Sequence, residues 1–235
     1  MALTQITTRQ IKNFPIVSVK DFGAVGDGVV DDTAALQAAS NYLLAQTHPP
    51  TLVFPSGVYK YSVSPNWAIT NAVVVPSGDV RLRYTGTGNA VILGTDAFDI
   101  YNFTFGTPEN KFIVEAPSSA QHGVYVTSVH HSTISVNVRG CGSTSAGLFV
   151  NYAVCTDFYP TVSANEAGGW YLGATPKYGI YTNRQAPGVP TSYCVFHTPI
   201  IEWTEYGIYS MYSNGNMYVG GNAEGCAKNG LYIGA

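Results

Sequence analysis

Charge is what this sequence has least of. Only 11% of its 235 residues are Asp, Glu, Lys or Arg, against roughly 25% in an average soluble domain, so the polar surface falls to Asn, Ser, Thr, Gly and Tyr. Eleven basic and fourteen acidic residues leave a net charge of −3. That balance gives no electrostatic footprint for nucleic acid or for insertion into an anionic membrane, and both are disfavoured as partners. Long hydrophobic runs are missing too. No stretch reaches the ~18 residues of a membrane span, and "MALTQITTRQIKNFP" lacks an apolar run of signal-peptide length, which argues against a cleaved secretion signal. The four cysteines, Cys141, Cys155, Cys194 and Cys226, lie far apart without a CxxC pair. Neither a zinc site nor a dense disulfide framework follows from that spacing, so reduced, buried thiols are expected, with no metal and no cofactor. What the chain does have is 46% hydrophobic residues, 25 glycines and 17 tyrosines. Its length suits one sizeable core, an ordinary size for a single all-β domain.

The richest local signal is "VKDFGAVGDGVVDDTAALQAASNYLL", Val19 to Leu44. "IVSVKDF" alternates like a strand, and "DDTAALQAASNYLL" reads as a helix with Leu36, Ala39 and Leu43 on one face. Strand, glycine loop and helix together suggest a nucleotide cradle. A dinucleotide fingerprint, however, needs a third glycine where Asp31 stands, and Asp27, Asp31 and Asp32 would repel a pyrophosphate. An EF-hand calcium loop fails on spacing. The reading that accounts for more residues is structural: Asp27 and Gly28 make a tight turn, and Asp31 or Asp32 caps the helix by accepting from its free N–H groups.

"DFGAVGDGVVDDTAALQAA" followed by "TLVFPSGVYKYS" resembles the opening of the pectate-lyase-like superfamily, and within it phage tailspikes and capsule depolymerases most. The resemblance implies an all-β, right-handed parallel β-helix with an N-terminal capping α-helix, in which the "FPSGVY" strand opens the first rungs. It also implies a homotrimer in a virion tail, acting on bacterial surface polysaccharide. Residues 1–17 would then be an arm or docking peptide to other tail proteins. Residues 18–235 would be the β-helix domain, incomplete at its C-terminal end because "NGLYIGA" stops inside a repeat.

The repeat offers an independent test. Glycine–aliphatic–aromatic triplets begin at Gly123, Gly147, Gly179, Gly207 and Gly230, at intervals of 24, 32, 28 and 23 residues. Each interval is about one turn of three short strands, the longer ones holding inserts such as Asn183 to Ser192, and the glycines are expected to allow bends between sheets.

Glycan hydrolysis uses two carboxyl groups, ~5–5.5 Å apart for retention and ~6.5–9.5 Å for inversion. Glu202 and Glu224 precede their triplet glycines by five and six residues, so the two are expected to stack on successive turns as the catalytic pair, with Glu205, Glu166 and Asp157 as alternates. Elimination would instead need a base beside an acidic sugar and a cation to neutralise it; Arg139, Lys177, Arg184 and Lys228 qualify by type. His130 and His131 are adjacent on a strand and point to opposite faces, which does not make a metal site. Trp203, Tyr206, Trp170 and Tyr171 are candidate sugar-stacking residues, although stacked aromatics serve equally as core or subunit interface. Three functions remain open at this point: a tailspike enzyme, a non-catalytic virion rod or glycan-binding module, and a secreted polysaccharide lyase.

Overall fold

In the computed structural model, residues 16–163, 175–186 and 189–234 are described. The expected strand over "IVSVKDF" holds only for Ile16–Ser18, which pairs in parallel with Thr51–Tyr61; the rest is corrected to a 3-10 turn, Val19–Phe22. The reason is local. The Ser18 hydroxyl accepts from Lys20 N at 3.2 Å and the Asp21 carboxylate accepts from Ser18 N at 2.9 Å, and this capping box nucleates a helical turn. Gly23, at φ 96°, then stops it.

The aspartates that follow divide the work. Asp27 Oδ1 accepts from Val29 N and Val30 N at 2.8 and 2.9 Å, with Gly28 at φ 78°. Asp31 Oδ1 accepts from Thr33 N at 2.8 Å, at the first residue of the helix α1 (Thr33–Leu44). The bonds from Val29 and Val30 hold the Asp27 carboxyl below its ordinary range, and the Thr33 hydroxyl and then its N–H do the same for Asp31. Asp32, the last residue before α1, makes no capping bond. It is buried, and its carboxylate takes Val25 N at 2.6 Å and Gly26 N at 3.0 Å, tying the glycine loop to the start of the helix. Leu36, Ala39 and Leu43 are fully buried against the end of the solenoid. Ser40 donates to the carbonyl of Asn66 from the same face.

From Thr51 onward the chain winds as a parallel β-helix with three ladders. Inward positions of the long sheet form a column, Leu52, Val74, Phe105, Ile134, Phe158, Phe196 and Tyr218, each in register with the next. Phe158 and Phe196 stack at 4.8 Å and 9°. Adjacent strands are ~4.8 Å apart, so a flat ring fills its layer and meets its neighbours without a gap.

The triplets fall into register on a second sheet. Val124, Leu148, Ile180, Ile208 and Leu231 form one column, and Tyr125, Phe149, Tyr181, Tyr209 and Tyr232 the other. The role expected of their glycines is corrected. A Cβ on Gly179 would lie 2.6 Å from the carbonyl oxygen of Gly207 and run into the Ile201 side chain opposite, and one on Gly123 would meet Gly147 O at 2.6 Å. These glycines allow close approach of rungs and sheets. The bend into the long sheet is turned elsewhere, by residues of left-handed φ stacked at one corner: Asn71, Asn102, His131, Cys155, Tyr193 and Gly215. Cys155 is therefore exposed, contrary to the expectation of buried thiols. Cys141 and Cys194 are buried, which pushes each thiol up to about 12.

Gly179→Ala is expected to cost about 1–3 kcal/mol by overpacking, read as a lower urea midpoint. Gly88→Ala, where an added Cβ meets only Tyr84 Oη at 3.4 Å, serves as the tolerant control. A second expectation concerns acid. Burial pushes His122 down to about 4 from 6.5, and its Nδ1 accepts from Ala146 N at 3.1 Å. The unfolded chain takes up that proton near pH 6.5 and the native chain does not until about pH 4. Stability from this group is thus complete above pH 6.5 and declines as pH falls toward 4. Melting curves of His122→Asn across that window are expected to slope less than those of the parent.

Candidate functional site

The outer face of the long sheet gathers ionisable side chains. On the strand Asp157–Ser163 the hydrophobic residues Phe158 and Val162 are buried while Asp157, Tyr159 and Thr161 are half-exposed, the alternation of a strand with one face on a core. The neighbouring strand Val195–His197 pairs with it through Asp157↔Val195 and Phe158↔Phe196. This puts His197 flat on Tyr159, with ring centroids 4.5 Å apart and planes 7° apart. His197 Nε2 lies 2.8 Å from Asp157 Oδ1. An ionised carboxylate only accepts, so Nε2 donates this bond, and the tautomer that does so has its lone pair on Nδ1.

A short excursion walls this patch. Strands Thr104–Phe105 and Phe112–Glu115 both pair with Thr133–Arg139, at its start and at its end, and residues 106–111 leave the sheet between them, opposite Ser135. Thr107 and Asn110 close the excursion through reciprocal backbone bonds of 2.9 and 3.1 Å, and Asn110 Nδ2 donates to Pro76 O at 2.9 Å. At its end Lys111 reaches back across the sheet, its Nζ 3.2 Å from Thr161 Oγ1. Burial lowers the Lys111 pKa. Tyr159 is raised, first by burial and then by the charges of Asp157 and Glu109, so its phenol stays protonated and able to donate at neutral pH. A base, an acid and a cation thus share one face.

Further along the same strands lies the carboxylate pair expected from the repeat. Ile200–Glu202 pairs with Asn222–Glu224, and the register places Glu202 directly opposite Glu224. Both face outward, because the residues just before them, Ile201 and Ala223, are in register and turn inward onto the core. One strand spacing of ~4.8 Å separates their backbones. Glu202 is also in register with Ser163, four residues past Tyr159, so the pair sits about 13 Å along the strand from the Asp157–His197–Tyr159 patch. The line through Arg83, Glu115, Arg139, Ser163, Glu202 and Glu224 runs across the sheet. At its start opposite charges meet, with Arg83 Nε 2.6 Å from Glu115 Oε2 and Glu115 buried. At its end two like charges face each other, an arrangement that costs stability.

The other candidates disperse. Trp203 turns the corner next to Glu202 at φ 57°, half-exposed, with its ring over Gly225 of the next turn. Glu205 lies past that corner, bound to Lys228 at 2.5 Å. Tyr206 belongs to the triplet sheet, where Lys177 and Lys228 also lie over tyrosine rings, and Arg184 stacks on Tyr212 at 3.9 Å. Of the four cations proposed for elimination, Arg139 is the one on the long sheet's outer face. Glu166, Trp170 and Tyr171 lie outside the described residues. His130 is buried in the third ladder beside Asp99, whereas His131 is exposed at the corner. Among the described residues no three His, Cys, Asp or Glu side chains converge as metal ligands. Tyr159, His197 and Lys111 were missed from sequence. Tyr159 carried a usable signal, since it lies two residues after Asp157 and shares its face; nothing local joined His197 or Lys111 to them.

These features define a parallel β-helix with an ionisable outer face. Residues 16–232 match the model of the Rhamnogalacturonase A/epimerase, pectate lyase-like family, and the chain belongs to that family. Among curated proteins it is 30% identical over 141 residues to a glucan 1,3-beta-glucosidase of Cochliobolus carbonum, covering 60% of this chain and 15% of that protein. It is 39% identical over 82 residues to the mannuronan C5-epimerase AlgE2 of Azotobacter vinelandii, covering 35% and 8%. The chain thus spans a small part of the length of these relatives. Among solved structures, ORF18 of Geobacillus virus E2 shares the fold, with a TM-score of 0.63 at 20% identity over 86% of this chain and 41% of that one. No helix among the described residues is long and apolar enough to cross a membrane.

Glu224→Gln is expected to raise stability by about a few tenths of a kcal/mol, the scale of a cross-strand charge pair. Removing the positive partner in Arg83→Gln is expected to lower it by more, since Glu115 would keep a buried charge with a weaker partner. Paired urea titrations measure both.

Proposed function

We propose that the chain is part of a bacteriophage tailspike that binds bacterial surface polysaccharide, capsule or O-antigen, and helps depolymerise it by β-elimination at an acidic sugar. The observation that carries this is the contact of His197 with Asp157 and Tyr159 on an outer sheet face, with Lys111 alongside. In the reaction His197 Nδ1 takes the proton α to the sugar carboxylate, and the electrons of that C–H bond form the new C=C bond as the bond to the glycosidic oxygen breaks. Tyr159 gives its proton to the departing oxygen. Lys111 offsets the charge that builds on the carboxylate. The virion setting is supported by the resemblance of Val19–Tyr61 to tailspikes and by the fold shared with a phage protein. Residues 1–17 as the docking arm and a parallel homotrimer complete the proposal.

A second reading is hydrolysis at Glu202 and Glu224, supported by their register and by the tolerated repulsion between them. One experiment separates the two. The full-length chain is incubated with a panel of bacterial capsules, O-antigens and polyuronates. Elimination gives fragments that absorb ultraviolet light through an unsaturated uronate, and His197→Ala lowers the rate by about 10²–10⁴-fold. New reducing ends without that absorbance, lost in Glu202→Gln, would replace elimination by hydrolysis. Binding without fragments would leave a non-catalytic rod. Sedimentation is expected to give three chains per particle, and a stable monomer would overturn the trimer.

A further inference from the structure

The triplet sheet turns a second face to solvent. Its aromatic column runs without interruption over five successive turns, with ring centroids 5.6 Å apart from Tyr125 to Phe149, 5.0 Å to Tyr181, 5.4 Å to Tyr209 and 4.6 Å to Tyr232. A second, shorter column lies beside it: Tyr178 is in register with Tyr206, 5.5 Å away, and 4.8 Å from Tyr209. The triplet glycines make this doubling possible. Strict alternation would send Tyr178 and Tyr181, three residues apart, to opposite faces, yet both are half-exposed and their rings lie 4.8 Å apart across Gly179. The strip is about 19 Å long at four strand spacings. None of its rings is needed in the core, which is filled by Val124, Leu148, Ile180 and Ile208 behind it.

Two cations border the strip. Lys177 Nζ lies 5.2 Å from the Tyr178 ring centre and Lys228 Nζ 5.1 Å from that of Tyr206. Glu205 stands between them: its N–H donates to Pro176 O at 3.2 Å, its carbonyl accepts from Lys228 N at 2.8 Å, and its carboxylate lies 2.5 Å from Lys228 Nζ. The edge therefore keeps one net positive charge in a chain whose overall charge is −3.

We propose that this strip is a second polysaccharide-binding surface, separate from the acid–base patch, that takes an acidic glycan lying along the solenoid axis. Sugar rings present flat C–H faces that stack on aromatic rings, and tyrosine adds a hydroxyl at the outer rim. A ladder with one ring per turn suits a partner that itself repeats, which a polymer does. With Lys228 paired to Glu205, the net positive charge that Lys177 adds at this edge favours carboxylates. A second copy of the chain fits less well, because all the rings except Phe149 end in a polar group and the half-exposed aliphatic residue in register with the column, Ile92, lies at its end beside Tyr125.

Affinity electrophoresis of the full-length chain in gels containing alginate, polygalacturonate or neutral dextran tests this. The two polyuronates are expected to retard the protein and dextran is not. The double variant Tyr181→Ala, Tyr209→Ala is expected to lose at least about tenfold in affinity; should it fail to fold, threonine, a good strand former, replaces alanine at both positions. Lys177→Gln with Lys228→Gln is expected to remove the preference for acidic chains. Retardation reads binding whereas ultraviolet absorbance reads elimination, which keeps this result independent of the elimination chemistry. Unchanged affinity in the folded tyrosine variants, retardation by dextran equal to that by polyuronate, or no retardation by either polyuronate would overturn the proposal. So would a change of oligomeric state in those variants with affinity intact, which would assign the strip to a subunit interface.

Discussion

Parallel in-register stacking is the constraint from which the rest follows. Each strand of the solenoid bonds to the equivalent strand one turn before and one turn after, so every side chain has a counterpart ~4.8 Å away along the axis. Inside, that spacing selects flat rings and branched aliphatics, as in the column through Phe158 and Phe196. Outside, it converts a single residue choice into a line: a line of tyrosines on one sheet, a line of charges on another. The same rule brings Glu202 and Glu224 face to face.

Function on such a scaffold depends on departures from the pattern. Residues 106–111 leave the ladder, and that excursion brings Lys111 to Thr161 over a surface that would otherwise be an open sheet. The charge line shows the same thing in reverse. Arg83 and Glu115 follow electrostatic sense, whereas the last two members do not, and a cost accepted on an exposed face needs a reason other than folding. The two groups of ionisable residues lie on one face but too far apart to act on one bond.

The architecture was legible because it is written redundantly. The glycine–aliphatic–aromatic triplet recurs five times, and its intervals of 24, 32, 28 and 23 residues translate directly into strand register. Leu36, Ala39 and Leu43 were found by helical period alone. The turn at Val19–Phe22 was misread because alternation in "IVSVKDF" outweighed a capping box that the letters Ser18 and Asp21 contained. The glycines were assigned to bends because sequence shows that glycine is needed and not why; only the packed neighbour Ile201 and the carbonyl of Gly207 reveal the reason. His197 and Asp157 are forty residues apart with an insert between them, and no local signal measures the length of chain consumed by an insert.

The direction of the hydrogen bonds has a mechanical meaning. Strands lie across the rod and their bonds run along it, so a push on one end is borne by all three ladders and by every stacked column of side chains at once. A pull on one terminus is different: it loads the last turn first and peels the solenoid a turn at a time. The helix α1, with Leu36, Ala39 and Leu43 set into the end and Asp32 holding the loop beside it, stands at the end where such peeling would start. It therefore acts as a lock against unwinding as well as a cover for the core.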